Sequence, residues 1–211
     1  AKGRDWRVGA GAAVAATAAV LALVDHRLVV SAPGDRIHRH LEGPSSTASV
    51  LEDEAGFRRL VVDGRFVMGG DATEAMDRLQ GHIPLLLHPE PRRALFLGLG
   101  AGATFAAARS HLGLRAEAVE LSPEVVAVIE DFAGPAADLE ASGGALSLRV
   151  GDARRWVRAS ETRYDVVVAD TFHPARDGAA LLYTSEHFAA VRDRLAEGGL
   201  FAQWLPLHQF D

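Results

Sequence analysis

Beyond Pro91 the sequence alternates short apolar runs with helical segments, and this alternation limits the fold more than any other feature. The apolar runs are largely continuous, which indicates strands that are buried on both faces of a parallel sheet. The predicted strands are residues 94–97, 116–119, 146–150, 164–169 and 200–205, and the predicted helices are residues 103–112, 122–132, 153–159 and 185–195. We therefore expect an α/β fold whose ligand site lies at the carboxyl ends of the strands.

The residues that follow the first four predicted strands are typical of a nucleoside site. The first strand leads into Gly98-Leu99-Gly100-Ala101-Gly102, where glycines allow a tight turn and a close approach of the backbone to a ligand. Glu120 follows the second strand and can accept hydrogen bonds from both ribose hydroxyls. Asp152 follows the third strand and can accept one from an adenine amino group, and Asp170 follows the fourth. The alternative for Glu120 and Asp152 is that each caps the next helix.

Charge and composition exclude several classes of function. The chain of 211 residues has a formal net charge of −6, which removes the electrostatic drive for binding nucleic acid, so we expect no nucleic-acid partner. There is no cysteine, and the nine histidines lack the spacing of a metal site. We therefore expect neither a disulfide nor a metal ion.

Three segments precede the α/β domain, which we place at residues 71–211. Residues 8–24 carry no charge and favour a membrane segment within an Ala-rich helix over residues 1–30, although a soluble helix or a signal-peptide core is an alternative. Residues 31–46 are rich in Gly, Pro and Ser and predict a linker. Residues 47–70 contain β-prone runs and predict a small N-terminal β-hairpin domain. The chain is expected to be a fragment, because it does not begin with methionine and it ends shortly after the fifth predicted strand. We expect that further strands of the sheet, which would follow the fifth, are missing.

From residue 49 to residue 208 the chain resembles the spermidine synthases (polyamine aminopropyltransferases), and more closely their bacterial relatives fused to membrane segments. The matching pieces are Val62-Asp63-Gly64, His82-Ile83-Pro84-Leu85 with His88-Pro89, the glycine loop at residues 98–102, Glu120, Gly151-Asp152-Ala153, Tyr164-Asp165 leading to Asp170, Leu182-Tyr183-Thr184 and Gln203. The resemblance implies the Rossmann-like fold of class I S-adenosylmethionine-dependent methyltransferases, with strand order 3-2-1-4-5. It also implies a homodimer.

The resemblance assigns roles to individual residues. The residues that would bind the nucleoside of decarboxylated S-adenosylmethionine, or of S-adenosylmethionine itself, are Gly98, Gly100, Gly102, Glu120, Asp152 and Ala153. Asp170 would be the catalytic base. His173 is a candidate base or acceptor-binding group, with a turn-capping histidine as the alternative. Tyr183 would line the acceptor pocket, with an anchoring role for its loop as the alternative.

Several departures from the family pattern fall on residues that would touch the substrates. Ala101 stands where the family usually has an aspartate that repels the carboxylate of S-adenosylmethionine and pairs with the amine of the decarboxylated form. The polar residues expected around the acceptor are replaced by Val67, Met76, His173 and Leu205. Since a diamine such as putrescine is doubly protonated at neutral pH, burying it without partners is costly. We therefore expect an amine acceptor other than putrescine.

Three hypotheses follow from these residues. The leading one is a spermidine-synthase-like transferase that moves an aminopropyl group from decarboxylated S-adenosylmethionine to a small-molecule amine. The second, motivated by Ala101, is an S-adenosylmethionine-dependent methyltransferase. The third, motivated by the missing acceptor acids, is a nucleoside-binding module of a membrane protein without turnover. Because the co-substrate is cytosolic, we expect the domain to face the cytoplasm, with or without attachment to a membrane through residues 8–24.

Overall fold

The computed structural model describes residues 31–169 and 179–205, together with residues 10, 11 and 29. The chain divides into two compact units, Ala1–Val30 and Ser31–Asp211, and the elements given below belong to the second. The expected membrane segment at residues 8–24 lies outside the described residues, apart from residues 10 and 11. In the described part of the chain no helix is both long enough and apolar enough to cross a bilayer.

The first sheet of the second unit is antiparallel, with strands in sequence order. Its strands are β1 (Arg36–Glu42), β2 (Thr47–Glu52), β3 (Arg58–Val62) and β4 (Phe66–Gly70). Asp63 and Gly64 connect β3 to β4 at φ values of 52° and 71°, as a type I′ turn requires. The prediction of a linker over residues 31–46 was wrong for β1. Backbone pairing with β2 makes this segment a strand, whereas its own sequence is polar and shows no strand pattern.

The second sheet is parallel, and its strand order is β7-β6-β5-β8-β9. Its strands are β5 (Arg93–Leu97), β6 (Arg115–Glu120), β7 (Leu146–Val150), β8 (Tyr164–Ala169) and β9 (Leu195–Gln203). This order confirms the predicted 3-2-1-4-5 arrangement and the α/β class. The order reverses between β5 and β8, and in such sheets ligands bind outside the carboxyl ends of the strands at this point.

The described residues of the second unit contain six α-helices. They are α1 (Glu74–Leu87), α2 (Ala103–Ala106), α3 (Pro123–Ala127), α4 (Ala133–Ala141), α5 (Ala153–Ala159) and α6 (Ser185–Arg192). The helices predicted at residues 103–112 and 122–132 are shorter than expected, because each continues after a few residues as a 3-10 turn. The sequence did not predict α4, since Gly134 and Pro135 look like breakers. Both lie in its first turn, where proline removes no intrahelical hydrogen bond.

Two buried apolar clusters cover the parallel sheet. In one, Val50 and Leu60 of the antiparallel sheet join Phe96 and Phe105. The other contains Leu95, Leu97, Val157, Val167 and Val191. The first cluster packs the antiparallel sheet against the parallel one and so brings the end of β4 to the edge where β5 ends.

Candidate functional site

The glycine loop, residues 98–102, leaves β5 at the carboxyl edge of the parallel sheet. Gly98, Gly100 and Gly102 have φ values of 96°, 55° and 89°, which glycine adopts without strain. A Cβ at Gly100 would lie 2.8 Å from the carbonyl oxygen of Met68 in β4. The backbone N–H of Ala101 donates to the same oxygen at 2.9 Å. The fold therefore requires glycine at position 100, where the loop is joined to the antiparallel sheet.

Glu120 ends β6 and is 7% exposed. Its Oε2 accepts a hydrogen bond from the backbone N–H of Leu99 in the glycine loop at 3.0 Å. Its Oε1 accepts one from the N–H of Ser122 at 2.8 Å. The cap of α3 is Ser122, whose side chain accepts from Val125 N. Glu120 is therefore not the helix cap that the sequence left open as an alternative, and its carboxylate is joined to the loop.

A buried hydrogen-bond network lies behind Glu120. The Oγ atoms of Ser46 and Ser122 are 2.6 Å apart, and Ser122 Oγ donates to Glu124 Oε2 at 2.8 Å. All three side chains are buried. Because Ser46 precedes β2 in the antiparallel sheet, this network fixes the position of Ser122, whose N–H holds Glu120. Sequence reasoning missed both Ser46 and the bridging role of Ser122, since their contact joins segments far apart in the chain.

Asp152 precedes α5 at the end of β7, and here the capping alternative is correct. Its side chain accepts a hydrogen bond from the N–H of Arg154 at 2.9 Å, as an N-cap does. The guanidinium of Arg154 also binds it, with Nη2 2.8 Å from Oδ2. These hydrogen bonds hold the pKa of the Asp152 carboxyl below its usual value. The N–H of Gly151 donates to the carbonyl oxygen of Glu120 at 2.8 Å, so the two acids belong to neighbouring strand ends.

A further carboxylate, which the sequence analysis missed, lies beside the glycine loop. Asp77 is in the first turn of α1, and its Oδ2 accepts a hydrogen bond from Thr73 Oγ1 at 2.7 Å. A Cβ built on Gly69 would lie 3.1 Å from Asp77 Oδ2 and 3.3 Å from the Cβ of Ala101. The Asp77 carboxylate and the Ala101 methyl group therefore flank the same glycine of β4. The sequence signal was the i, i+4 spacing of Thr73 and Asp77, which indicates only a local contact.

Three predicted site residues follow β8 in the chain. Asp170 and His173 lie outside the described residues. Tyr183 is half-buried and ends the 3-10 segment Ala179–Tyr183, just before Thr184 caps α6. Its assignment to the acceptor pocket stays a prediction. Across residues 31–169 and 179–205, no group of three or more metal-ligating side chains is arranged to hold an ion.

The parallel order and the glycine loop next to its reversal define the class of protein as a Rossmann-like domain of the methyltransferase fold. Comparison with protein families narrows this class. Residues 74–204 match the family model "Spermine/spermidine synthase domain", and the chain belongs to this family.

Curated relatives agree with this family. Polyamine aminopropyltransferase 1 of Bacillus cereus is 27% identical over 158 residues, which cover 72% of this chain and 55% of the relative. Polyamine aminopropyltransferase 2 of Hyperthermus butylicus is 33% identical over 120 residues, which cover 56% of this chain and 39% of the relative. The chain therefore spans about half the length of the Bacillus relative that it matches.

Solved structures agree with the fold. A crystal structure of spermidine synthase in complex with the transition-state analogue AdoDATO has a TM-score of 0.72 at 20% identity, over 80% of this chain and 57% of that chain. Spermidine synthase from Thermotoga maritima has a TM-score of 0.70 at 21% identity, over 80% and 56%. The fold and the family predicted from the sequence are confirmed, and the narrower resemblance to membrane-fused relatives stays a prediction.

Proposed function

We propose that this chain is the nucleoside-binding and catalytic part of an aminopropyltransferase that uses decarboxylated S-adenosylmethionine and a small-molecule amine. The observation that carries the proposal is the contact of the buried Glu120 carboxylate with the N–H groups of Leu99 and Ser122. A carboxylate has about four acceptor positions, so ribose hydroxyls can share it with these amides. Its place beside a glycine loop fits the nucleoside of a sulfonium co-substrate. Since this co-substrate is cytosolic, we place the domain in the cytoplasm.

Each residue at the carboxyl edge has a role in this proposal. Glu120 orients the ribose, and the low pKa of Asp152 keeps it ionised, so that it acts only as an acceptor for the adenine amino group. The positions that let the backbone approach the nucleoside are Gly98, Gly100, Gly102 and Ala153. Arg154 shares the Asp152 carboxylate and fixes its orientation.

The reaction needs positioning and removal of one proton. The protonated acceptor nitrogen first loses a proton to a base, which frees its lone pair. The lone pair then attacks the propyl carbon bound to the sulfonium, the carbon–sulfur bond breaks, and its electrons stay on sulfur to give methylthioadenosine. We assign Asp170, the residue after β8, as the base, with His173 and Tyr183 as candidates for binding the acceptor.

The acceptor we propose is an amine other than putrescine. Val67 and Met76 occupy positions where the family resemblance implies polar residues, and they are 60% and 61% exposed. An acceptor bound beside them meets apolar groups instead of partners for a second ammonium group. Binding over these side chains would remove water from an ammonium group that they cannot pair with, so a less highly charged amine with an apolar portion fits better.

Methyl transfer from S-adenosylmethionine is the alternative that Ala101 favours, and Asp77 argues against it. The Asp77 carboxylate lies beside Ala101 and would attract the terminal ammonium group of the decarboxylated form. It would repel the additional carboxylate of S-adenosylmethionine. We therefore propose that Asp77 favours the decarboxylated co-substrate.

Product identity tests the reaction. The chain is incubated with decarboxylated S-adenosylmethionine and a panel of amines, and separately with S-adenosylmethionine, and the nucleoside products are separated by chromatography. The expected product is methylthioadenosine, and the substitution Asp170→Asn is expected to abolish its formation. S-adenosylhomocysteine would instead identify a methyltransferase. Nucleoside binding without either product would support a binding module and contradict aminopropyl transfer.

Calorimetry with two ligands tests the role of Asp77. Asp77→Asn is expected to weaken binding of decarboxylated S-adenosylmethionine about tenfold, or roughly 1.4 kcal/mol, because one charge pair is lost. Binding of methylthioadenosine, which has no ammonium group, should not change. Glu197→Gln removes the same charge at an exposed position and serves as the control. Equal losses for both ligands would show that Asp77 acts on the fold instead of on the ligand.

A further inference from the structure

A second pocket lies at the opposite, amino-terminal edge of the parallel sheet, and it does not belong to the site described above. Its volume is about 160 Å³, and its polar lining is formed by Arg93, Arg115, Glu117, Ser147, Thr162 and Tyr164. We propose that this pocket binds a small oxyanion of the phosphate class.

The position of the two arginines is the first argument. Arg93 begins β5 and Arg115 begins β6, and the two residues are direct register partners. Neighbouring strands lie about 4.8 Å apart, so two positive side chains start side by side on one face of the sheet. Like charges at paired positions destabilise a sheet. Both arginines are exposed, and among the described residues neither guanidinium has an ion-pair partner, so an anion bound between them would relieve the repulsion that solvent leaves unscreened.

Two acids lie near the arginines, and both are held by hydrogen-bond donors. Glu117 accepts a hydrogen bond from the Tyr164 hydroxyl. Burial, together with Glu117, raises the pKa of Tyr164, so the hydroxyl keeps its proton at neutral pH. Asp165 Oδ2 accepts hydrogen bonds from the backbone N–H groups of Arg92 and Arg93 at 2.7 and 2.9 Å. With two arginines and one glutamate, the lining keeps a positive charge.

The remaining groups and the size of the pocket indicate the class of ligand. The hydroxyls of Ser147 and Thr162 can donate to oxyanion oxygens, and guanidinium groups bind phosphate in two-point geometry. A cavity of about 150 Å³ holds a ligand the size of benzene, so this pocket has room for a phosphate or a small phosphate ester.

The pocket is also separate in space from the nucleoside site. β6 runs from Arg115 at the pocket to Glu120 at the glycine loop. Five residues of a parallel strand span about 16 Å, which is too far for one small ligand to reach both. Binding at this pocket therefore does not depend on the proposed aminopropyl transfer.

Phosphate binding tests the proposal directly. Inorganic phosphate is titrated into the intact chain by calorimetry, and thermal unfolding is followed in phosphate and in sodium chloride of equal ionic strength. We expect phosphate to raise the unfolding temperature beyond the chloride effect, and R93Q/R115Q to bind phosphate at least about tenfold more weakly. Without phosphate, R93Q/R115Q should be at least as stable as the wild type, because the repulsion is removed.

The matched control is R65Q/R192Q, which removes two charges from exposed arginines elsewhere. It should keep the response to phosphate, and the single variants R93Q and R115Q should each lose part of it. Methylthioadenosine binding of R93Q/R115Q reports separately whether the nucleoside site is intact. No phosphate response in the wild type, or equal responses in R93Q/R115Q and R65Q/R192Q, would overturn the proposal.

Discussion

Gly100 is the position in the glycine loop where an added side chain would contact a backbone atom. Its φ of 55° is left-handed, and an added Cβ would lie 2.8 Å from the Met68 carbonyl oxygen. For Gly100→Ala we expect unfolding in urea to show a loss of about 2–4 kcal/mol, since backbone strain and overpacking add. Gly143 has a φ of 59° with no atom within 4 Å of its Cβ position, so Gly143→Ala should cost about 1 kcal/mol. Equal losses would show that the contact with Met68 has no energetic weight.

Whether a contact is local or distant in the chain explains which site residues were predictable. Glu120 could be found because a strand end about 20 residues after a glycine loop returns to the same sheet edge. Asp152 fitted both a cap and an acceptor, and only coordinates show the cap bond to Arg154. Asp77 was not predictable as a loop neighbour, because its approach to Ala101 depends on the packing of β4.

Helix α1 presents neighbouring leucines to opposite environments. Leu85 is 1% exposed in the core, whereas Leu86 is 73% exposed. Leu85→Ala is expected to lower the free energy of unfolding by about 2–5 kcal/mol, because it leaves a cavity. Leu86→Ala should stay within about 0.5 kcal/mol of the wild type. Urea unfolding of the two variants, which remove the same atoms from one helix, makes the comparison. A large loss for Leu86→Ala would mean that this face is covered in solution.

Elements were predictable where their own apolar pattern decides the structure. The central parallel strands β5 and β8 have such a pattern, since nearly all of their residues are buried. β1 has none, because its residues are exposed or half-buried and it exists through pairing with β2. α4 was missed for the opposite reason. Gly134 and Pro135 are local signals against a helix, but their position in its first turn makes them compatible with one.

For the whole molecule, the strand order was predictable because the resemblance to the spermidine synthases implies it, whereas the alternation of strands and helices by itself indicates only a parallel sheet. The packing of the antiparallel sheet against the rest of the second unit was not predictable, since its contacts join segments that are distant in the chain. One example is the hydrogen bond from Arg58 Nη1 to the Asp131 carbonyl oxygen at 2.9 Å, and another is the Ser46–Ser122 contact. Such contacts depend on the complete fold, so no local sequence pattern encodes them.

We expect the response of global stability to pH to depend on two histidines in different parts of the fold. Burial lowers the pKa of His111, as does His82, whose Nδ1 is 3.0 Å from His111 Nε2. Burial also lowers the pKa of His187, assisted by Arg154 and Arg158, and neither of its ring nitrogens has a hydrogen-bond partner among the described residues. In both cases the folded state disfavours the proton that the unfolded chain binds near pH 6.5.

Stability should therefore be fully present above pH 6.5 and fall as the pH drops below that value toward the folded-state pKa values of the two histidines. Asp152 does not contribute between pH 7 and 5, because its pKa is lowered from 3.8 and it stays ionised in both states. Urea unfolding at pH 7 and pH 5 measures the difference, which corresponds to at most about one proton for each histidine. His187→Phe removes one titrating group beside Phe188 and should reduce the pH dependence, and His111→Gln should reduce it further. A pH dependence that stays the same in both variants would mean that neither histidine takes up a proton on unfolding in this range.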